Sequence, residues 1–169
     1  MNEAVRIQAT VAECHLGLVL VAATAKGVCL IAFGDHAADL RAELSLRSPR
    51  AQLVDCVSTF ADWVAQVLRI VEAPSRGLEL PLDIWGTDFQ RRVWKALQAI
   101  PPGRTATYAE LARAIGSPRA VRAAAGACAA NPLAVVIPCH RVIGSNGKLT
   151  GYRWGVHRKR ALLDREAGF

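Results

Sequence analysis

The sequence lacks long apolar runs, low-complexity tracts and internal repeats. No segment approaches the roughly 18 uninterrupted apolar residues that a membrane-spanning helix needs. The first ten residues also lack the basic-then-apolar pattern of a secretory signal. These absences argue against membrane insertion and export, and we expect a cytoplasmic protein without membrane contact.

Closely spaced cysteine pairs are also missing. Five cysteines, an odd number, stand at positions 14, 29, 56, 128 and 139, which argues against a disulfide framework. A zinc site of Cys14, His15, Cys29 and His36 is a minor alternative, because this spacing fits no common zinc finger. We therefore expect no metal and no cofactor, and we interpret most of the cysteines as small buried hydrophobes.

Acidic residues are scarce in the second half of this 169-residue chain. Residues 1–84 contain seven Lys and Arg against ten Asp and Glu, whereas residues 85–169 contain fourteen against four. The halves therefore carry net charges of −3 and +10 within a total of +7. A basic half of this kind is the expected footprint of a domain that binds a polyanion. A solvated basic face is the alternative interpretation.

The first half has the pattern of a small sheet covered by helices. Short apolar runs predict strands at residues 6–12, 17–22 and 27–33, and helical periodicity follows at residues 36–46 and 55–71. Pro74–Gly77 is predicted to end the second helix. Leu78–Leu82 is predicted as an edge strand or extended linker, because Pro81 has no N–H for a sheet ladder. We place a boundary here, with domains at residues 1–84 and 85–169.

The second half is predicted to be mostly helical. Thr87 can cap a helix over residues 88–100, which stops at the Pro101–Gly103 breaker. Helices at residues 108–115 and 119–130 flank a Gly-Ser-Pro turn, as in a helix-turn-helix. The second of these helices is rich in alanine, with only Arg119 and Arg122 able to reach far. Such a helix suits a narrow minor groove better than the reading of base edges in a major groove.

The most informative chemical motif is Pro138-Cys139-His140-Arg141, which follows an apolar run at residues 133–137. Pro138 breaks regular structure before Cys139, and His140 supplies a base beside a potential nucleophile. Adjacent residues in a strand face opposite ways, so contact between the thiol and the imidazole requires a turn or a bridging water. We favour the water.

From Gly86 to Glu166 the sequence resembles the O6-alkylguanine-DNA alkyltransferases, in particular the bacterial adaptive-response members. The resemblance rests on the segments Phe89–Trp94, Thr107–Ala112, Ala120–Ala123, Asn131-Pro132, Ile137–Val142 and Gly151–Gly155. It implies an α/β (α+β) fold. In that fold a small N-terminal ribonuclease-H-like antiparallel sheet with helices joins a mostly helical C-terminal domain, which contains the helix-turn-helix and the cysteine loop.

The resemblance also implies a reaction. The Cys139 thiolate would attack the alkyl carbon, and the O6 oxygen of guanine would leave. His140 would deprotonate Cys139 through the water, Glu166 would hold the imidazole in the needed tautomer, and Asn131 would brace the nearby turn. The sequence shows no second thiol placed to resolve the stable thioether. We therefore expect a suicide enzyme, a DNA-repair cysteine S-methyltransferase that reacts once.

The target atom is inaccessible in a stacked duplex, so the resemblance further implies base flipping. Arg122 would fill the vacated space, with Ala123 beside it at the DNA, and Tyr108 would crowd the neighbouring phosphate. The loop over residues 144–155 would form a wall of the base pocket. The residues assigned to this wall and to the guanine edge are Val142, Ser145, Asn146, Tyr152, Arg153, Trp154 and Lys159.

Five of these residues receive specific roles from the resemblance. Tyr152 would stack on the flipped base, and the backbone N–H of Arg153 would approach O6. The Cys139 and Val142 carbonyls would accept from the guanine amino group, while Lys159 would be a second donor near the leaving oxygen. Trp154 would narrow the space beside the alkyl group, so that methyl transfers readily and benzyl poorly. Packing of Trp154 in the core is the alternative.

Two other classes of function remain open. A non-catalytic module could bind alkylated DNA without transfer, as do family relatives that lack the acceptor cysteine. A cysteine hydrolase could use Cys139, His140 and Glu166 as a triad, but it would need an oxyanion hole and would turn over. A helix-turn-helix transcription regulator is a weaker third option. The expected partner is double-stranded DNA that contains O6-alkylguanine, bound through its minor groove by a monomer.

Overall fold

The structure, a computed structural model, describes residues 5–75 and 79–168. The first half contains four strands and two helices, and helices dominate the second half. In chain order they are β1 Arg6–Cys14, β2 Gly17–Thr24, β3 Gly27–Gly34, α1 Ala37–Arg47, β4 Gln52–Leu53, α2 Ser58–Glu72, α3 Asp88–Gln98, β5 Ala106–Thr107, α4 Tyr108–Ala114, α5 Val121–Ala129, a 3-10 turn Cys139–Arg141, β6 Val142–Ile143 and α6 Val156–Ala167.

The first half forms a four-stranded sheet in the order β3-β2-β1-β4. The first three strands are antiparallel neighbours, as the sequence predicts, whereas β4 pairs in parallel with β1. The two exposed residues of β4 carry no alternating pattern that could reveal a strand. The predicted start of the next helix at residue 55 is wrong, because the Val54 and Val57 backbone N–H groups donate to Ile7 and to the Gln8 side chain. The chain therefore stays extended until α2 begins at Ser58.

The outer edge of β3 is covered by two segments from later in the chain. The Val28 N–H donates to Pro81 O over 2.9 Å, and the extended segment around Pro81 thus lies along this edge as predicted. Gly27 permits the close approach, since a Cβ there would lie 2.3 Å from Pro81 O. Further along, the Ile31 N–H donates to Pro132 O over 2.9 Å. The sheet is thereby bonded directly to the loop that precedes Cys139. Residues 76–78 of the predicted Pro74–Leu82 connection lie outside the described residues.

Helices α1 and α2 contribute apolar side chains to the core with the sheet, among them Leu40, Leu44, Phe60 and Val67. Strands β2 and β3 are buried along almost their whole length. Within the described ranges, no helix is both long and apolar enough to cross a bilayer. The sheet therefore serves as an internal platform for the rest of the chain.

The second half begins with α3, which Thr87 and Gln90 start with a reciprocal capping box. Trp94 anchors α3 to α5 by donating from Nε1 to Ala127 O over 2.9 Å. The turn between α4 and α5 is held by Arg92, which donates to Ile115 O and to the Ser117 hydroxyl. This packing fixes the predicted helix-turn-helix as a rigid unit.

Two helix ends in the second half differ from the predicted ones. Helix α5 begins at Val121 rather than at residue 119, because the Ala120 N–H donates to Ser117 O and keeps that segment in a turn. Helix α3 ends at Gln98, and the Ile100 N–H closes a tighter turn onto Leu97 O. The division of the chain at residues 84/85 stays a prediction.

Candidate active site

Cys139 lies at the start of the 3-10 turn and is 6% exposed. The buried Asn131 side chain organises the loop that leads to it. Its Nδ2 group donates to Ile137 O over 2.7 Å and to Cys139 Sγ over 3.1 Å, while its Oδ1 accepts from the Leu133 N–H over 2.8 Å. Asn131 thus braces this loop and also touches the sulfur itself.

The same loop contains a backbone conformation that is unfavourable for its residue. Val135 has a φ of 69°, in the left-handed region that a β-branched side chain avoids. Such a conformation costs on the order of 1–3 kcal/mol and persists only where the surroundings enforce it. Here the Ile137 N–H bond to Leu133 O and the Asn131 contacts close the loop around Val135. The loop is therefore held in one shape immediately before the thiol.

His140 forms a buried pair with Glu166 of α6, with 2.8 Å between Nε2 and Oε1. An ionised carboxylate can only accept, so Nε2 carries the proton and the neutral ring keeps its lone pair on Nδ1. Among the described residues, this buried Nδ1 atom has no hydrogen-bond partner. Burial lowers the pKa of His140, although Glu166 opposes this effect. The imidazole is therefore neutral near pH 7, with Nδ1 free to take a proton.

Glu166 is the centre of a wider polar cluster. Arg141 Nη2 donates to Oε1 over 2.8 Å, Arg141 Nε lies 3.1 Å from both oxygens, and the Gly103 N–H donates to Oε2 over 3.3 Å. Burial alone would raise the pKa of Glu166, but the hydrogen bonds from His140 and Arg141 bring it down to about 2. The carboxylate therefore stays charged and keeps the imidazole tautomer fixed.

The Cys139 thiol is protonated at rest. Burial raises the pKa of Cys139 to about 11, although the Asn131 hydrogen bond and the Lys159 charge both favour the thiolate. A thiolate is the nucleophilic form of cysteine, so any nucleophilic attack by this sulfur would require a base to remove the proton. His140 is the neutral base in the same turn. The site thus suits a mechanism in which the Cys139 thiolate forms only when a substrate is attacked.

A cavity of about 350 Å³ opens in front of Cys139. One side, here called the helix wall, consists of Ala125, Cys128 and Ala129 on α5. Cys128 was not predicted to border the cavity. Burial and the neighbouring Cys139 raise the pKa of Cys128 to about 12. Cys128 is therefore harder to ionise than Cys139.

A second part of the lining, here called the loop wall, consists of Gly151, Tyr152 and Arg153, and Tyr108 completes the lining. Tyr108 hydrogen-bonds from its hydroxyl to Thr150 O over 3.4 Å. Burial raises the pKa of Tyr108 to about 12 and that of Tyr152 further above its ordinary value. Both phenols are therefore neutral. The structure thus brings Tyr108, Tyr152 and Arg153 together with Cys139, as the sequence predicts.

Lys159 holds the loop wall in place rather than pointing a free ammonium into the cavity. Its side chain is fully buried, and Nζ donates to Val142 O over 2.5 Å, to Thr150 O over 3.1 Å and to Gly151 O over 3.2 Å. An ammonium has three donors, and these carbonyls occupy all of them. The predicted donation to a leaving oxygen would require Nζ to give up one of these carbonyls, and it stays a prediction. The Val142 carbonyl, predicted to bind a guanine amino group, already accepts from Lys159.

Trp154 lies in the core behind the loop wall. Its side chain packs edge-on against Phe33 of β3, with 6.3 Å between ring centroids, and against Tyr152 at 5.3 Å. It is 5% exposed and is absent from the described residues that border the cavity. The predicted position of Trp154 beside an alkyl group is therefore corrected, because its apolar ring is taken up by packing against the sheet.

The remaining predicted residues lie outside the cavity lining. Arg122 and Ala123 are exposed near the start of α5, and Arg122 shares a helix face with Ala125 and Ala129 by its spacing of three and seven residues. Ser145 and Asn146 are exposed in a turn, where Asn146 Oδ1 accepts from the Lys148 N–H. Arg122 is therefore placed beside the cavity mouth, whereas the structure does not bring Ser145 and Asn146 to the cavity.

Sequence reasoning missed the roles of Arg141 and Glu43. Arg141 belongs to the recognised motif, so its adjacency to His140 could have suggested a second partner for a buried carboxylate. Glu43, on α1, accepts from Arg153 of the loop wall over 3.0 Å. Nothing in the local sequence around Glu43 indicates that contact. The minor zinc alternative also has no counterpart, since residues 5–75 and 79–168 contain no cluster of three or more potential ligands.

Cys139, His140 and Glu166 are buried next to a helix-turn-helix. This combination is typical of a DNA-binding protein that uses a cysteine as a nucleophile. Residues 88–168 match the family described as 6-O-methylguanine DNA methyltransferase, DNA binding domain. Mycobacterium tuberculosis OGT, solved in complex with DNA, superposes with a TM-score of 0.76 at 34% identity, covering 97% of this chain and 94% of that one. The chain belongs to the O6-methylguanine-DNA methyltransferase family. The predicted α+β fold class and the predicted family are thereby confirmed.

Similarity to curated proteins extends over the whole chain. The bifunctional transcriptional activator/DNA repair enzyme Ada of Escherichia coli is 48% identical over 166 residues, which are 98% of this chain and 47% of Ada. The methylated-DNA–protein-cysteine methyltransferase of Mycobacterium bovis is 58% identical over 88 residues, 52% of this chain and 53% of that protein. The chain thus spans about half the length of these relatives.

Proposed function

We propose that this protein repairs alkylated DNA by direct reversal. It binds duplex DNA that contains O6-alkylguanine, flips the damaged base into the cavity and takes the alkyl group onto Cys139. The observation that carries the proposal is the position of Cys139, which borders the cavity, contacts Asn131 through its sulfur and precedes the His140–Glu166 pair. The names of the relatives supply the substrate class.

The proposed reaction is a displacement at the alkyl carbon. The Cys139 proton passes to His140 Nδ1, through a bridging water, and Glu166 stabilises the resulting imidazolium. The thiolate then forms a carbon–sulfur bond while the carbon–O6 bond breaks and its electron pair passes to guanine. Guanine takes up the transferred proton and regains its normal form. In this account the backbone N–H of Arg153 and the ring of Tyr152 position the base at the loop wall.

The thioether product makes this a single-turnover reaction. A second thiol such as Cys128 cannot reverse a thioether by disulfide chemistry, because that exchange needs a sulfur–sulfur bond. The added alkyl group also enlarges a side chain that is 6% exposed and closely packed. We therefore expect the alkylated protein to be less stable than the unreacted one.

The proposal includes minor-groove binding by a monomer in the cytoplasm. The small side chains of α5 leave its exposed face close to the helix axis, which favours approach to a narrow groove, and Arg122 can extend into the base stack. The basic second half supplies the attraction to phosphates. All five cysteines are free, which fits a reducing compartment.

Intact-mass measurement tests the proposal. After incubation with duplex DNA that carries one O6-methylguanine, the protein should gain one methyl group in a one-to-one titration. The Cys139→Ala variant should gain none and should still bind the DNA. Binding without any mass change in the wild-type protein would favour the non-catalytic module, and repeated turnover would favour a hydrolase. Either result would contradict the proposal.

A further inference from the structure

The loop wall is tied to the first half of the chain through Arg153. Its Nε and Nη2 atoms each lie 3.0 Å from Oε1 of Glu43 on α1. Its Nη1 atom donates to Ala129 O, at the end of α5, over 3.3 Å. Because Arg153 borders the cavity in the loop wall and Ala129 borders it in the helix wall, this side chain connects the two walls. Glu43 holds it from outside the cavity.

Glu43 also separates two positive charges. Arg47, one turn later on α1, donates from Nε to the same Oε1 atom over 3.0 Å. The Glu43 side chain is 18% exposed, so water screens this three-residue cluster only partly. Without the carboxylate, the guanidinium groups of Arg47 and Arg153 would face each other with no counterion between them. Loss of Glu43 would therefore push Arg153 away from α1.

The next residue of the loop is held differently. The Trp154 ring packs on Phe33, and the backbone carbonyl of Trp154 accepts a hydrogen bond from Arg158 over 2.8 Å. Arg158 in turn donates to Leu16 O over 2.8 Å and to Asp35 over 2.6 Å. These contacts, which do not involve Glu43, fix the loop at residue 154. The Glu43 contact therefore controls the last short stretch, at Tyr152 and Arg153, that faces the cavity.

We propose that Glu43 is a positioning residue for alkyl transfer, acting through Arg153 to set the separation of the loop wall from the helix wall. This inference rests on the proposed function. Glu43 touches neither substrate nor thiol in this account. Its contribution is the geometry of the Tyr152–Arg153 peptide relative to Cys139. Misplacement of a reacting group by about 1 Å can cost on the order of a hundredfold in rate, so a partly exposed contact at this place is expected to matter.

The test compares Glu43→Gln with Glu72→Gln in the full chain. Like Glu43, Glu72 joins the first half of the chain to the second: it accepts a hydrogen bond from Arg165 of α6 over 3.1 Å. Unlike the Glu43 contact, this one involves no residue of the cavity lining. The single-turnover rate is measured at saturating O6-methylguanine duplex, and the dissociation constant is measured in a Cys139→Ala background. We expect Glu43→Gln to lower the rate on the order of tenfold, with affinity and unfolding midpoint close to those of Glu72→Gln, which keeps the wild-type rate.

A double-mutant cycle identifies the route through Arg153. Arg153→Gln should slow transfer, and adding Glu43→Gln should then cause little further loss, because the two changes break one contact. Wild-type rate in Glu43→Gln, an equal loss in Glu72→Gln, or additive losses in the cycle would each overturn the inference. Failure of the wild-type protein to gain a methyl group would instead overturn the proposed function. The two failures are therefore distinguishable.

Discussion

The two halves of the chain differ in what they bury. Within the described ranges, seven polar or charged residues are buried, and six of them follow residue 84: Asn131, His140, Arg141, Arg158, Lys159 and Glu166. The first half buries mainly apolar strands and helix faces, with Thr24 as its polar member. Buried polar groups are costly unless every partner is in place. The first half is therefore an apolar scaffold, here called the frame. The second half contains a buried polar network, and the frame has to hold its side chains in their positions.

Glu166→Gln should cause the largest loss of stability and activity, because it removes the centre of the buried polar network. The change leaves Arg141 buried without a counterion, which costs roughly 3–5 kcal/mol of unfolding free energy, and transfer should be lost with the imidazole tautomer. The folded-state pKa of Glu166, about 2, lies below its ordinary value of 4.5. Its stabilisation is therefore present above that ordinary value and is lost as the pH falls through about 2. Denaturant unfolding at several pH values measures this difference.

Glu72→Gln is the matched control for that experiment. Glu72 also pairs with an arginine, Arg165, but its side chain is 50% exposed. An exposed pair contributes about 0–1 kcal/mol, so this variant should unfold almost like the wild type. Equal losses for Glu166→Gln and Glu72→Gln would show that the buried network is no more critical than the surface.

Trp154→Ala should cause the next largest effect. It tests the contact between the sheet and the loop wall, where Trp154 packs on Phe33. Removing a buried indole costs roughly 3–5 kcal/mol of unfolding free energy, because Phe33 and Tyr152 lose their packing partner. Trp85, which is 43% exposed, provides the control, and Trp85→Ala should cost far less. A folded Trp154→Ala variant should show no faster reaction with a benzylated guanine. Faster benzyl transfer would restore the original prediction that Trp154 limits the alkyl space.

Features that depend on residues close in sequence were predicted well, and features that depend on distant residues were not. The capping boxes at Thr87 and Thr107 are local, and the helices that they start were predicted with ends correct to within two residues. The pairing of His140 with Glu166 was inferred by family resemblance, and the structure places them 2.8 Å apart. Their catalytic roles stay a prediction.

The sequence failed where tertiary contacts decide. Lys159 and Trp154 were assigned to the cavity by family resemblance, but the carbonyls and rings that they contact depend on how the loop folds over the sheet. Glu43 and Arg153 are 110 residues apart, and no local pattern joins them. Strand β4 gains its identity only from β1 beside it. Such contacts have no sequence periodicity to reveal them.

Arg122→Ala should give a moderate effect confined to the reaction. If Arg122 holds the flipped state, the single-turnover rate on duplex DNA should fall on the order of tenfold, while stability changes by less than about 0.5 kcal/mol because the side chain is exposed. Arg119→Ala, which removes a neighbouring exposed charge, is the control. Both should lower the salt dependence of binding similarly. Equal rates for the two variants would remove the finger assignment from Arg122.

The pH dependence of transfer should show the smallest change. Because burial lowers the pKa of His140 below its ordinary value of 6.5, the basic form persists as the pH falls through that value. The half-maximal point of the single-turnover rate should therefore lie below pH 6.5. A half-maximal point above 6.5 would mean that the charged imidazole is favoured by the site, contrary to this account.

Cys128 and Cys139 border one cavity, and the polar network around Asn131, His140 and Glu166 favours Cys139 as the acceptor. The Lys159 charge lowers the pKa of both thiols, but the Asn131 hydrogen bond also lowers that of Cys139, which is about 11, whereas the pKa of Cys128 is about 12. Peptide mapping by tandem mass spectrometry, after reaction with O6-methylguanine duplex, locates the methyl group. We expect all of the methyl group on Cys139, and we expect Cys128 to stay unmodified in a Cys139→Ser variant. Methyl on Cys128 in either protein would contradict this expectation.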